Sequence, residues 1–193
     1  WEEFLQTISP QIEGKKFVEA VLTASINGHS LLGKFDLILL KNNNTLEIFD
    51  WKTSRNKPRQ EWLLNRIQTR LYRLILAESG AELIGGESIN PEQIKMVYWF
   101  ATQPQNPVSL PYSQQAYQAD HAYIKRLINE IIDRDESHFF RTEDLNKCRY
   151  CVYRSHCDRG DQAGDLDGFE EFETIPEAFE LDIEFDQIGE IAF

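Results

Sequence analysis

Strand-like patterning dominates the first third of the chain. Residues 17–26 are mostly apolar or β-branched, and Asn27-Gly28 follows them directly. That dipeptide is the strongest short-range hairpin signal, because both residues accept the positive φ that a two-residue turn demands. The chain returns over residues 30–40, turns at Asn42-Asn43-Asn44, and runs on through residues 46–52. Three strands joined by short turns predict an antiparallel meander. After Pro58, well suited to open a helix, Leu64, Ile67, Leu71, Leu74 and Ile75 recur at helical spacing over residues 60–79, and Gly80 ends the run. Residues 94–101 read as a further strand, the proline-rich stretch 103–111 as a connection, and 113–133 as a second helix. Residues 2–8, ahead of Ser9-Pro10, read as the last turns of an earlier helix. The order β-β-β-α-β-α, with no internal repeat, predicts an α/β fold: one mixed central sheet flanked by helices.

At 193 residues the chain holds one domain with something appended. Its 41% apolar and 27% charged residues match globular proteins and disfavour wholesale disorder, collagen-like repeats and coiled coil. No apolar run reaches the ~18 residues of a membrane-spanning helix, and no secretory leader opens the sequence, so a cytoplasmic protein is expected. Charge divides the chain. Residues 1–157 carry 19 acidic and 19 basic side chains, whereas residues 158–193 carry 13 acidic ones against Arg159 alone. The formal charge of −12 thus belongs to the tail, and it does not argue against a nucleic-acid partner for the body. The same boundary predicts a domain over residues 1–157 and an acidic tail over 158–193. The opening Trp1, in place of Met, raises the expectation that upstream sequence is missing.

Candidate chemistry begins with Asp36, inside the apolar run Phe35-Asp36-Leu37-Ile38-Leu39-Leu40. An ionised side chain there is costly unless it is paired or holds a cation. Asp50 and Lys52 sit two apart on the next strand and therefore share a face. A hairpin-like connection can bring Asp36 beside Asp50, and a divalent cation would relieve their repulsion by taking both as hard oxygen ligands. A neighbouring ammonium group can orient water or stabilise charge developing on a phosphate. This combination suits phosphodiester hydrolysis, in which a bound metal polarises the phosphoryl oxygen and lowers the pKa of a water. The bland alternative is a surface Asp-Lys pair plus an Asp at a strand end. Gln68 and Tyr72, four apart, share one face of the following helix.

Gly33-x-x-Asp36, Asp50-Trp51-Lys52-Thr53 and Gln68-x-x-x-Tyr72 together resemble the PD-(D/E)XK nuclease superfamily. The likeness is to its RecB-like branch, which includes the AddB nuclease domain and CRISPR-associated four-cysteine nucleases. The resemblance spans roughly residues 19–157 and implies a restriction-endonuclease-like sheet. It implies Asp36, Asp50 and the backbone carbonyl of Trp51 as ligands of Mg2+ or Mn2+, Lys52 as the catalytic lysine, and Gln68 and Tyr72 beside the site. It further implies a metal-dependent deoxyribonuclease, with an exonuclease expected, acting in DNA repair or recombination on single-stranded DNA or free ends. A departure accompanies it: the family's usual upstream His or Glu has no convincing counterpart in Glu2, Glu3 or Glu13, and truncation before Trp1 would account for that. Glu19 matches a recurrent family Glu without being assigned as a ligand, and His29 reads as a solvated hairpin residue.

Seven basic residues against Glu61 alone lie between Lys52 and Arg73. Lys57 and Arg59, in the loop leaving the third strand, are the candidates for contacting a nucleic-acid backbone. Arg59, Arg66, Arg70 and Arg73 form a stripe nearly opposite Gln68 and Tyr72, which favours a solvated outer face. Trp51 and Trp62 could stack bases or belong to the core. All three cysteines fall in one segment, Cys148, Cys151 and Cys157, with spacing C-x2-C-x5-C. Clustered thiols of this kind are more often metal ligands than a disulfide framework. The resemblance implies a [4Fe-4S] cluster with a structural role, its fourth cysteine lying before Trp1. A zinc site that adds His156 is the alternative. The tail, with scattered phenylalanines, reads as a solvated segment, or as one that occupies the basic groove or recruits a protein partner. The competing functional reading is a catalytically inactive nuclease fold that binds DNA or serves assembly.

Overall fold

The computed structural model describes residues 12–53, 57–135, 137, 140–148, 151 and 153–160. The helix expected at 2–8 and the tail beyond 160 lie outside these residues. The expected meander is present: β1 (Lys15–Ile26), β2 (His29–Leu40) and β3 (Leu46–Lys52) pair antiparallel in sequence order. Asn27 and Gly28 both take positive φ, 53° and 79°, as the β1–β2 turn requires. Strand β4 (Ile94–Phe100) pairs parallel to β3, which makes the sheet mixed, and β5 (Val108–Pro111) closes the order β1-β2-β3-β4-β5.

Strand β5 corrects the expected proline-rich connection. Val108 and Leu110 are buried and Ser109 and Pro111 exposed, the alternation of a strand with one covered face. Its proline is tolerated because β5 is an edge, where a missing N–H costs no ladder bond. The single helix expected over residues 60–79 is instead two, α1 (Gln60–Asn65) and α2 (Ile67–Ser79), separated by an extended Arg66 (φ −59°, ψ 138°). The carbonyl of Leu63, which would accept the Ile67 N–H in a continuous helix, takes the Thr69 hydroxyl at 2.5 Å and the Arg66 N–H at 3.3 Å. Helix α3 (Gln114–Ile132) opens at Ser113, whose hydroxyl accepts the Ala116 N–H.

Helix α2 packs across β1, β2 and β4, and α3 packs on α2. Phe35, Ile38, Leu46, Ile48, Tyr72, Ile75, Met96 and Tyr98 form the main core between sheet and helices. The opposite sheet face carries a smaller cluster of Leu37, Leu39, Phe49 and Val97, with Trp51 and Trp99 against it. The arginine stripe is not a solvated outer face. Arg73 is 2% exposed and Arg70 half-buried, and both grip the buried Asp120 of α3, at 3.0 and 3.2 Å. Arg73 also lies over the Tyr112 ring and Arg70 over that of Tyr123. Arg70 and Arg73 therefore form part of the contact between α2 and α3, whereas Arg59 is exposed and Arg66 lies over the Trp62 ring.

Gly33 lets the β1–β2 hairpin lie close on α2. A Cβ there would come within 3.0 Å of the Phe35 ring and 3.1 Å of Ile75 Cδ1. Gly33→Val is expected to destabilise the fold by about 1–3 kcal/mol, measured by urea denaturation.

Candidate active site

The β2–β3 register pairs Leu37 with Phe49, and continuing it by one residue sets Asp36 across from Asp50 on the helix-covered face. The ladder ends at Leu37, and the Asp36 side chain takes over: its Oδ2 accepts the backbone N–H of Trp51 at 3.1 Å. Asp50 is 2% exposed and Asp36 half-buried. Two strand residues beyond Asp50, the Lys52 ammonium lies 3.1 Å from Asp50 Oδ2. Gln68, on the first turn of α2, joins both: its Nε2 donates to Asp50 Oδ1 at 3.0 Å, and its Oε1 accepts from Lys52 Nζ at 3.2 Å.

Tyr72 lies one helical turn further along α2, packed on Phe35 with ring centroids 4.7 Å apart. It borders the site through the core. Tyr98 was not singled out in the sequence: it pairs with Asp50 in the β3–β4 register, and the Lys52 ammonium lies 5.9 Å from its ring centroid. The Tyr98 hydroxyl meets Thr69 Oγ1 at 2.8 Å, which ties the start of α2 to β4. No periodicity marks Tyr98, because what matters is its neighbour on another strand.

The donor set suits a hard divalent cation. Two carboxylates on adjacent strands carry more negative charge than one ammonium offsets, and Lys52 already holds positive charge against Asp50. Among the described residues, no group of three or more His, Cys, Asp and Glu side chains converges at metal-holding distance. The carboxylates of the site are thus Asp36 and Asp50. Gln68→Ala would remove the amide that bridges Asp50 and Lys52, leaving only their direct ion pair, and is expected to lower turnover about 10-fold or more, read from initial rates of strand cleavage.

Among the remaining candidates, Lys57 donates to the Asn106 carbonyl at 2.6 Å, while Arg59 is exposed just ahead of α1. His29 is exposed in the hairpin, as expected. Trp51 turns its ring to the opposite sheet face, against Phe49 and Trp99, so base stacking at the site is not its role. Trp62 is 38% exposed and carries the Arg66 guanidinium over its ring. Cys148 is buried, and Cys151 and Cys157 are half-buried; all three are free thiols. The Cys148 sulfur accepts from Arg159 at 3.1 Å, and the Cys157 carbonyl accepts from Arg141 at 2.9 Å.

Residues 2–158 match the PD-(D/E)XK nuclease superfamily. The chain belongs to this superfamily. Its mixed five-stranded sheet with flanking helices is the restriction-endonuclease-like fold of these nucleases. A solved structure described as "Crystal structure of SSO0001" is similar at 17% identity and a TM-score of 0.47, over 80% of this chain and 66% of that one. The chain thus spans just under two thirds of that protein's length. No curated protein matches it in sequence. PD-(D/E)XK proteins are usually metal-dependent nucleases that use Mg2+ or Mn2+, and membership makes nucleic-acid hydrolysis the activity to weigh.

Proposed function

We propose that this protein is a metal-dependent deoxyribonuclease of the RecB-like branch that hydrolyses phosphodiester bonds in single-stranded DNA or at free ends. The observation that carries the reading is the joined group Asp36, Asp50, Lys52 and Gln68 at the end of β3. Asp36, Asp50 and the Trp51 carbonyl would hold Mg2+ or Mn2+. When bound, the cation supplies Lewis acidity and a water of lowered pKa. Asp36 also fixes the backbone at Trp51 by accepting its N–H, which steadies the peptide following Asp50. Lys52 presents its ammonium where charge grows on the phosphate, and Gln68 holds Lys52 and Asp50 in one arrangement. Tyr72 backs the helix that carries Gln68. Lys57 and Arg59 would engage the backbone of the incoming strand, and an exonuclease role in DNA repair or recombination in the cytoplasm accords with preference for free ends.

The decisive assay follows cleavage of a labelled single strand by the full chain with Mg2+ or Mn2+. Cleavage is expected to stop with EDTA and with Asp50→Ala. DNA binding without cutting, in the presence of Mg2+ or Mn2+, would instead support an inactive fold that serves as a binding or assembly module.

A second proposal concerns Cys148, Cys151 and Cys157 as ligands of a [4Fe-4S] cluster with a structural role. Their spacing within one short segment supports it, although among the described residues no group of three or more potential ligands gathers at metal-holding distance. Iron and sulfide should co-purify anaerobically and be lost in Cys151→Ala; stoichiometric zinc would identify the alternative site with His156. The acidic tail over residues 158–193 is proposed to contact the basic groove of the domain over residues 1–157 or a protein partner. Its removal after Gly160 would then raise DNA affinity at low salt.

A further inference from the structure

Strands β1 and β2 keep one register from the Lys15 and Leu40 pair to the Ile26 and His29 pair, with a single gap: Glu19 and Asp36, which that register sets opposite one another, are not paired. Glu19 has φ 50°, the left-handed region. Asn27 and Asn44 reach it in turns and Asp158 after a short helix, so Glu19 is the one non-glycine residue within a described strand to do so. Side-chain alternation reverses at this level in both strands. On β2, Leu31 and Phe35 face the helices in the far half, whereas Ile38 and Leu40 face them in the near half. On β1, Phe17 faces the helices before the gap and Ala20 and Leu22 after it. A regular strand allows only one of these settings, so both halves bury apolar residues only if the backbone slips at Glu19 and Asp36.

The slip releases Asp36 from backbone pairing exactly where the β2–β3 ladder stops, and its carboxylate then meets the Trp51 N–H at 3.1 Å. The Glu19 side chain lies on the surface, ion-paired to Lys34, with both side chains about 60% exposed (58% and 61%), a setting in which a salt bridge contributes little. We propose that Glu19 is a positioning residue whose left-handed backbone, and not its charge, aims Asp36 at the end of β3. The metal-binding consequence rests on the function proposed above; the aiming of Asp36 does not.

The test measures amide hydrogen exchange at Trp51 by NMR in the full chain, with Mn2+ titration alongside. Glu19→Gly and Glu19→Asn, which accept positive φ, and Glu19→Gln, which removes only the charge, are expected to keep Trp51 protection and Mn2+ affinity within about twofold of wild type. Glu19→Gly should also shift the folding equilibrium toward the native state by about fivefold. Glu19→Val, whose β-branched side chain resists this conformation, should lower Trp51 protection by about tenfold, the effect also expected of Asp36→Ala, and weaken Mn2+ binding by a similar factor. If the valine variant does not fold, Glu19→Ala is expected to show the same loss at smaller size. Wild-type protection in both Val and Ala variants overturns the proposal, as does a Gln variant that loses protection. Absence of Mn2+ binding to the wild type would count against the nuclease reading alone, because Trp51 exchange still decides the role of Glu19.

Discussion

Exchanging Lys52 for methionine is expected to lower cleavage of single-stranded DNA by about 10²–10³-fold, the usual effect of removing one preorganised group that stabilises transition-state charge. A second, thermodynamic effect should accompany it. Asp50 is 2% exposed and has the Lys52 ammonium 3.1 Å away, so the methionine leaves a buried carboxylate without that counter-charge. Breaking such a pair from one side costs about 3–5 kcal/mol. A divalent cation bound at Asp50 would replace the lost charge, so added Mn2+ should raise the melting temperature of Lys52→Met more than that of the wild type. Thermal melts with and without Mn2+, beside initial cleavage rates, check both parts.

Asp120→Ala is expected to produce the largest loss of stability away from the site, about 3–5 kcal/mol in a denaturant titration. Asp120 holds Arg73, itself 2% exposed, at 3.0 Å and Arg70 at 3.2 Å, so its removal strands a buried guanidinium. Burial pushes the Asp120 carboxyl above its ordinary value, against the opposing pull of Arg73 and Arg70. A raised folded-state pKa means that the folded protein holds this proton more tightly than the unfolded chain. The associated stability is complete below about pH 3.9 and is lost as pH rises through the folded value. The margin of wild type over Asp120→Ala should therefore be wider near pH 4 than near pH 7. Because α2 carries Gln68 as well as Arg70 and Arg73, some loss of cleavage is expected with the loss of stability.

What could be read from the sequence was whatever neighbouring elements decide between them. Asn27-Gly28 placed β1 beside β2, and the next turn set Asp36 within reach of Asp50, since strand pairing leaves little choice. Gln68 and Tyr72 were singled out by the family resemblance, and helical spacing put them on one face. The break at Arg66 was hidden because no proline or glycine marks it; its stabilising contact is the Thr69 hydroxyl on the Leu63 carbonyl. Strand β5 was hidden by Pro111 and by the prolines just ahead of it; an edge position tolerates Pro111. A helical wheel put Arg70 and Arg73 on one face of α2 but, by assuming an unbroken helix, wrongly joined Arg59 and Arg66 to them, and it could not say what lay opposite: Asp120 is 47 residues beyond Arg73. The slip at Glu19 was equally hidden, since nothing in a run of strand formers announces a left-handed residue.

The central claim is that Asp36 and Asp50 share one cation at the end of β3, with Lys52 beside it. Anomalous diffraction from a crystal of the full chain soaked in Mn2+ tests it most directly. A peak touching both carboxylates, and absent in Asp50→Ala, is expected. A peak bound elsewhere, or carboxylates that hold no common ion, would contradict it.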